Sequence, residues 1–230
     1  MTEESIEPIP AATVVLARDI QDGIEVLMLR RSSRGAFGGM WVFPGGQVEN
    51  DDIDPADPGD ELGAARRAAV REAEEEAAVV VDGDALVTFS HWLPPPVAPK
   101  RFSTWFFLAP APEAIEVAVD NAEIREHEWL RPADAIARRD AGEIELAPPT
   151  WVTLWRLSGV GSVEEAVRLA RESEPQRFET HMYFPDGVPV AVWHDDAAYD
   201  SGDLHHTGPR HRLYMLPDGW RYEAGSPPFR

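Results

Sequence analysis

The stretch REAEEEAAV at residues 71–79, together with FPGG at residues 43–46 before it, decides how this sequence is interpreted. The later stretch contains Glu72, Glu75 and Glu76 at positions i, i+3 and i+4. It lies in a segment rich in alanine, glutamate and arginine, which are strong helix formers. We therefore predict a helix that carries these three glutamates on one face.

Three carboxylates on one helical face repel one another and destabilise the helix unless a cation lies among them. Mg²⁺ and Mn²⁺ prefer oxygen ligands of this kind. We expect Glu72, Glu75 and Glu76 to bind such an ion and Arg71 to hold a neighbouring carboxylate in place. The alternative is a solvated acidic face, which is the commoner role of a run of charge.

The rest of the sequence contains segments typical of strands and of helices. Strands are predicted at residues 11–17, 24–29, 40–43, 85–93, 101–108, 126–130, 188–193 and 211–216. Helices are predicted at residues 61–78, 132–139, 149–157 and 163–171. Pro44-Gly45-Gly46 is interpreted as an ordinary turn or as a tight loop that approaches the helix. This order predicts an α/β fold, an α/β/α sandwich around a mixed sheet with a β-rich C-terminal extension.

The composition limits the possible partners. The 230-residue chain has 41 acidic and 21 basic residues, a formal net charge of −20. Nucleic acid polymers are bound chiefly by Lys and Arg on phosphates, so we do not expect one here. Cysteine is absent, which excludes disulfides and thiolate chemistry. Without a signal peptide or a long apolar run, we expect a cytoplasmic protein with no membrane partner.

The two quoted stretches together resemble the signature of the Nudix hydrolases, which is Gly, five residues, Glu, seven residues, then Arg-Glu-apolar-x-Glu-Glu-x-Gly-apolar. Gly46 matches the opening glycine, and residues 71–79 match the closing run. The 24 residues between Gly46 and Arg71 exceed the family's spacing, an apparent insertion that holds the acidic loop 51–60. Counted back from Arg71, the family's middle glutamate falls on Gly63, and Ala78 replaces the closing glycine.

The resemblance covers residues 11–140 and indicates a subgroup. Residues 27–31 and 41–46 resemble the family's entry strand and loop, and Glu123 and Glu126 lie in a segment like one further along the family's fold. The interrupted signature looks most like the subgroup that includes the peroxisomal coenzyme A diphosphatase type. Either Asp52 or Glu61 could substitute for the missing middle glutamate.

A Nudix resemblance implies a Mg²⁺-dependent hydrolase, with Mn²⁺ as a second possible ion. It acts on the diphosphate bond of a nucleoside-diphosphate-linked metabolite of the coenzyme A, ADP-ribose or dinucleotide type. Glu75, Glu72 and Arg71 are then the expected catalytic residues, and the general base is either a glutamate of the signature or Glu123 or Glu126. The alternative is a non-catalytic Nudix-fold module that binds a nucleotide and regulates another process. The fold often forms pairs, so a homodimer is also possible.

Substrate binding is expected from two groups of residues near FPGG. Arg30, Arg31 and Arg34 are suited to bidentate phosphate contacts, although pairing with the acidic loop 51–60 explains them equally well. Gly45 and Gly46 would let the backbone approach the substrate closely.

Aromatic residues offer a further possibility, because Trp92, Trp105 and Phe106 could stack a base, although strand aromatics are more often core residues. We expect a leader at residues 1–10, a Nudix hydrolase domain at 11–172 and an extension at 173–230.

Overall fold

A mixed β-sheet lies between helices on both of its faces, and a second sheet follows it in the chain. The computed structural model describes residues 7–33, 37–96, 98, 100–113, 115–119 and 122–225. Residues 1–6 of the expected leader, and Arg34, lie outside these ranges. Within them, no helix is long and apolar enough to cross a membrane.

The main sheet combines parallel and antiparallel strand pairs. Its strands are β1 (Ile9–Ile20), β2 (Gly23–Arg31), β3 (Trp41–Val42), β4 (Gly45–Gln47), β5 (Val87–Leu93), β6 (Phe102–Pro110), β7 (Ile124–Leu130) and β8 (Gln176–Glu179). They follow the order β3-β2-β1-β6-β5-β8, with β4 paired to β1 and β7 paired to β2. The pairs β1–β6 and β5–β8 are parallel, while pairs such as β1–β2 and β5–β6 are antiparallel. The predicted mixed sheet is confirmed.

Helices pack on both faces of this sheet. They are α1 (Glu61–Ala77), α2 (Pro132–Asp140), α3 (Pro148–Leu157) and α4 (Val163–Glu172). The alanine-rich face of α1 packs with Val14 and Phe107, whereas α3 and α4 pack on the side of Val15 and Leu108. Because side chains alternate across a strand, neighbouring residues of β1 and β6 serve two different cores. The predicted α/β/α sandwich is therefore confirmed.

The C-terminal part of the chain forms a second, antiparallel sheet. Its strands are β9 (His181–Tyr183), β10 (Val190–Val192), β11 (His211–Leu216) and β12 (Gly219–Ala224), in the order β12-β11-β10-β9. Trp193 and Leu213 are fully buried in the same core as α3, so this sheet packs on the main domain. The predicted β-rich extension is confirmed. The division of the chain at residue 173 stays a prediction, and β8 beyond it belongs to the main sheet.

The two glycines of the FPGG stretch begin a strand, so the prediction of an ordinary turn there is wrong. Gly45 pairs with Thr13 and Gly46 with Ala12 in an antiparallel register. A Cβ on Gly45 would collide with the carbonyl oxygen of Ala12 and with the side chain of Thr13. Only glycine therefore lets β4 lie this close to β1.

Helix α1 ends on a left-handed residue that is not glycine. Ala78 has φ 56° and ψ 30°. Its N–H donates to the carbonyl of Glu74 at 2.9 Å, and the N–H of Val79 donates to the carbonyl of Ala73 at 3.1 Å. These hydrogen bonds satisfy the last carbonyls of the helix, as a C-terminal glycine motif does. This conformation is strained in alanine, because its Cβ crowds the following carbonyl at a cost of about 1–2 kcal/mol.

We predict that Ala78→Gly raises the free energy of unfolding by roughly 0.5–1 kcal/mol, since relief of this strain exceeds the extra chain entropy that glycine loses on folding. Urea denaturation measures the change. Glu74→Gly is the matched control, because it puts glycine at an exposed position inside the same helix. It should lower the free energy of unfolding by about 1 kcal/mol. A decrease of similar size in both variants would contradict the prediction.

Candidate active site

A cavity of about 540 Å³ lies where strand β4 meets the C-terminal half of helix α1. Strands β1 and β6 and the start of α3 complete its walls. The predicted site residues that line it are Arg31, Gly45, Gly46, Arg71, Glu72, Glu75 and Glu76. Arg30 is placed elsewhere, on the exposed surface, where its Nη1 lies 2.7 Å from Oε1 of Glu126. Of the residues that the sequence predicts for the site, the structure places Arg30 and Glu126 on the surface, and Arg34 lies outside the described residues. It brings Arg31, the two glycines, Arg71 and the three signature glutamates to one cavity.

The guanidinium of Arg71 is fixed by an acid in the inserted loop. Asp52 ends a short 3-10 helix at Asn50–Asp52 and is only 4% exposed. Arg71 donates from Nε to Oδ1 of Asp52 at 3.2 Å and from Nη2 to Oδ2 at 2.9 Å. The N–H of Glu49 also donates to Oδ2, and Arg67 donates to the Asp52 carbonyl at 2.6 Å. The loop is therefore tied to α1 through both the side chain and the backbone of Asp52.

The position of Asp52 favours Asp52 over Glu61 as the substitute for the family's middle glutamate. Five residues separate Gly46 from Asp52, so Asp52 has the Nudix spacing when the count runs forward from the glycine. The additional residues of the loop then lie between Asp52 and α1. Glu61, the other candidate, is the exposed first residue of α1. At Gly63, a Cβ would collide with the Asp60 carboxylate, which caps the helix by accepting the Gly63 N–H at 2.8 Å.

Arg71 also contacts two glutamates of the signature. Its Nη1 donates to Oε1 of Glu72 at 2.9 Å and to Oε2 of Glu75 at 2.8 Å. The hydrogen bond with Asp52 raises the pKa of Arg71 above its ordinary value. Burial opposes this effect, and the contacts with Glu72 and Glu75 add to the rise. The predicted contact of Arg71 with neighbouring carboxylates is confirmed, and it limits the conformations available to both glutamates.

Glycine at position 46 makes room for the Glu72 carboxylate. A Cβ built on Gly46 would collide with all three atoms of that carboxylate. Burial raises the pKa of Glu72, and its contacts with Arg71 oppose this effect. Gly46 therefore lets the Glu72 carboxylate lie directly against β4, which agrees with the second role that the sequence suggests for these glycines.

Glu76 is the most deeply placed of the three glutamates, at 5% exposure. The N–H of Gly45 donates to its Oε2 at 3.0 Å, and Arg31 Nη1 donates to its Oε1 at 3.2 Å. Burial raises the pKa of Glu76 to about 8, although Gly45 and Arg31 favour the charged form. The cost of keeping this carboxylate ionised falls when more positive charge enters the cavity.

Arg31 joins Glu76 to an acid from a distant part of the chain. Its Nη2 lies 2.6 Å from Oε2 of Glu123, which precedes β7 and also lines the cavity. Arg31 and Arg30 therefore pair with Glu76, Glu123 and Glu126, so the expected pairing of these arginines with the loop 51–60 is wrong. The partners of Asp52 in that loop come from α1 instead.

The cavity has the donor chemistry that a divalent cation requires. Glu72, Glu75 and Glu76 supply carboxylate oxygens from one helix to one cavity, and the Glu75 side chain is 58% exposed. Within the described ranges, no group of three or more His, Asp or Glu residues is already arranged as a ligand set. Arg71 and Arg31 contact these carboxylates instead, so cation binding would exchange some of their contacts. By oxygen type and by shared placement, the three glutamates fit Mg²⁺ or Mn²⁺.

The far side of the cavity contains residues that sequence reasoning did not select. Phe102 and Thr104 line it from β6, and Lys100 and Phe37 lie at the same side. The sequence contained one signal that could have identified Phe102. Residues alternate between the two faces of a strand, which places Phe102 on the same face of β6 as Phe106. Which face of β6 lines the cavity depends on the pairing of β6 with β1, a long-range contact.

Comparison with known proteins identifies relatives of the chain. The NUDIX domain model matches residues 7–149. The chain is 28% identical over 186 residues to the Caenorhabditis elegans protein "Putative nudix hydrolase 7", an alignment that covers 65% of this chain and 60% of that protein. The chain thus spans about 60% of the length of the curated relative that it matches.

Solved structures share the fold. A NUDIX hydrolase from Alicyclobacillus acidocaldarius superposes with a TM-score of 0.63 at 24% identity, covering 70% of this chain and 96% of that one. The NUDIX domain of Shewanella oneidensis NrtR, solved with ADP ribose, gives a TM-score of 0.50 at 17% identity, covering 67% of this chain and 88% of that one. At these identities the likeness extends to the fold alone.

We predict that Asp52→Asn lowers the free energy of unfolding by about 2 kcal/mol, because it weakens two charged hydrogen bonds to Arg71 in a buried setting. Chemical denaturation measures the loss. The matched control is Asp51→Asn, which removes the same charge from the exposed neighbouring residue. Equal effects of the two substitutions would contradict this prediction, because Asp52 would then stabilise the protein only through its negative charge and not through its contacts with Arg71.

We also predict that the stability of the metal-free protein falls with pH because of Glu76. Its pKa in the folded protein is raised from 4.5 to about 8, so its contribution to stability is complete below about pH 4.5 and is lost as the pH rises through 8. In EDTA, Glu76→Gln should therefore melt at a higher temperature than the wild type at about pH 9 and at the same temperature at about pH 4. A Glu76→Gln protein that is less stable than the wild type at about pH 9 would contradict this sign.

Proposed function

The chain belongs to the Nudix family, and on that premise we propose that it is a metal-dependent hydrolase of the diphosphate bond in a nucleoside-diphosphate-linked metabolite. The observation that carries the proposal is the convergence of Glu72, Glu75 and Glu76 with Arg71 and Arg31 on one cavity. A family fold used only as a scaffold has no need of three carboxylates that repel one another there.

In this proposal the residues around the cavity have different roles. Arg71 is anchored by Asp52 and orients Glu72 and Glu75 through hydrogen bonds. Arg31 faces the cavity with a guanidinium suited to phosphate, and a bound diphosphate would compete with Glu76 for it. The backbones of Gly45 and Gly46 form the part of the wall where a substrate can lie close to the glutamates.

Glu72, Glu75 and Glu76 would hold the divalent cation that members of this family generally use. When bound, Mg²⁺ or Mn²⁺ supplies positive charge and Lewis acidity to the diphosphate. Glu75 is the most exposed of the three glutamates and is best placed to accept a proton from an attacking water. Glu123 is the second candidate for this base because it lines the cavity, whereas Glu126 pairs with Arg30 on the surface.

The substrate class within this proposal is a nucleotide-like metabolite of the coenzyme A, ADP-ribose or dinucleotide type. A structural neighbour, the NUDIX domain of NrtR, was solved with ADP ribose, and this supports ADP-ribose as one of the first compounds to test. Membership of the coenzyme A diphosphatase subgroup stays a prediction from the sequence. A cytoplasmic location and a homodimer likewise stay predictions, and sedimentation measures the second.

A non-catalytic nucleotide-binding module is the alternative. It would retain the fold and the cavity without needing the full set of glutamates. Glu72, Glu75 and Glu76 are all present, and Asp52 supplies an acid to Arg71 despite Gly63. Both features favour the hydrolase.

We predict that Glu75→Gln lowers kcat about 100-fold or more while leaving the melting temperature of the metal-free protein nearly unchanged. Product release from ADP-ribose, coenzyme A and a dinucleoside polyphosphate is measured with Mg²⁺ and with EDTA. Glu74→Gln is the matched control, because Glu74 is the adjacent exposed glutamate and lies outside the cavity lining. It should keep the wild-type rate.

Two results would contradict this proposal. Near-normal Mg²⁺-dependent rates in Glu75→Gln would remove Glu75 from the reaction. Binding of these compounds by the wild type without any product would favour the non-catalytic module.

A further inference from the structure

The cavity has a second wall whose chemistry differs from that of the acidic one. Phe102, Thr104 and Phe106 line it from alternate positions of β6. Alternate residues of a strand point to the same side, so these side chains form one continuous surface. The parallel register of β6 with β1 pairs Thr104 with Ala11 and Phe106 with Thr13, which adds two small residues beside that surface.

The aromatic rings at the outer end of this surface are exposed. Phe37 is 45% exposed, and its ring centroid lies 6.3 Å from that of the half-buried Phe102 at an interplanar angle of 42°. By contrast, Phe106 is buried and packs against Phe43. Phe37 and Phe102 therefore retain apolar surface in contact with water, which a flat ligand would cover with a gain in free energy.

The sole lysine of the chain lies over the Phe102 ring. The ammonium of Lys100 is 4.9 Å from the centre of the Phe102 ring, and the residue is exposed. An exposed cation–π contact is weak, so a heteroaromatic ring that stacks on Phe102 can displace it. The displaced ammonium then remains near the ligand as the positive charge at this end of an otherwise acidic cavity.

Other aromatic residues are candidates for this role from the sequence. Trp92 is buried and stacks on Phe178 at 3.7 Å, which makes it a core residue. Trp105 lies on the α1 side of the sheet and stacks on His91 at 4.3 Å. Neither lines the cavity in the described structure, whereas Phe102 and Phe37 do.

We propose that Phe102, together with Phe37, stacks the nucleobase of the substrate, with Lys100 moving off the ring to contact an anionic group of the same ligand. The identity of the ligand's other end, a diphosphate beside Glu72, Glu75 and Glu76, rests on the proposed function. The base site itself rests on the exposed rings and on the single cavity that they share with the glutamates.

The test compares AMP with ribose 5-phosphate, which is AMP without its base, by titration calorimetry. The wild type should bind AMP more tightly. Phe102→Ala should weaken AMP binding about 10-fold and leave ribose 5-phosphate within about 2-fold, because only the first ligand has a base to stack. Phe102→Tyr should restore AMP binding, since it keeps an aromatic face. Phe184→Ala is the matched control, because Phe184 is 62% exposed and lies outside the cavity lining. It should change neither affinity.

Three results would overturn the inference: equal affinity of the wild type for the two ligands, no binding of either, or equal losses of both in Phe102→Ala. Thermal melts identify any variant that is not folded. If Phe102→Ala is not folded, Phe102→Leu carries the comparison, because it keeps apolar volume at this position without an aromatic face to stack a base. The result of this binding test can be distinguished from the result of the hydrolysis test of the proposed function. A Phe102-dependent preference for AMP in a protein without hydrolytic activity would support the base site and contradict the hydrolase, whereas active protein with no such preference would do the reverse.

Discussion

The guanidinium of Arg71 holds together three segments that are far apart in the sequence. It contacts the Asp52 carboxylate in the inserted loop, the Gln47 carbonyl at the end of β4, and Glu72 and Glu75 on its own helix. A planar cation with several donors suits this position, because it can serve several acceptors in fixed directions. Without it, four oxygen-bearing groups would face one another with no compensating charge. The placement of Glu72 and Glu75 beside the cavity therefore depends on this one side chain.

The acidic wall of the cavity has the electrostatic properties on which the proposed cation site depends. Burial raises the pKa of Glu72 and Glu76, and in both cases an arginine opposes the effect. The two arginines also help to define the cavity, since Arg31 bridges Glu76 to Glu123 and Arg71 bridges Asp52 to the signature glutamates. A divalent ion that entered would relieve the remaining repulsion. The net charge of −20 therefore does not oppose the binding of a phosphorylated ligand at this place.

The C-terminal sheet packs against helix α3, whose first residues form part of the cavity wall. Trp220 of β12 packs against Trp151 of α3 at 6.1 Å, and Tyr222 packs edge-on against Trp155 at 4.8 Å. Helix α3 begins just after Ala147, where Pro149 and Thr150 form part of the cavity wall. The extension thus packs against the helix that carries one wall of the site, while the NUDIX domain match ends at residue 149.

The sequence by itself determined the helices, most strands of the main sheet and the acidic face of α1. Helix α1 and its acidic face were predicted correctly because both follow from local properties of the sequence. Residues 61–78 are rich in helix-forming residues, and the glutamates are spaced at i, i+3 and i+4. The alternation of apolar residues likewise identified most strands of the main sheet. Tertiary structure alone decided which acid binds Arg71, that Gly45 and Gly46 belong to a strand, that Arg31 and Arg30 face different surroundings, and that Phe102 shares a cavity with Glu76. Each of these depends on pairings between residues distant in the chain, and local spacing does not specify the register or the distance of such pairings.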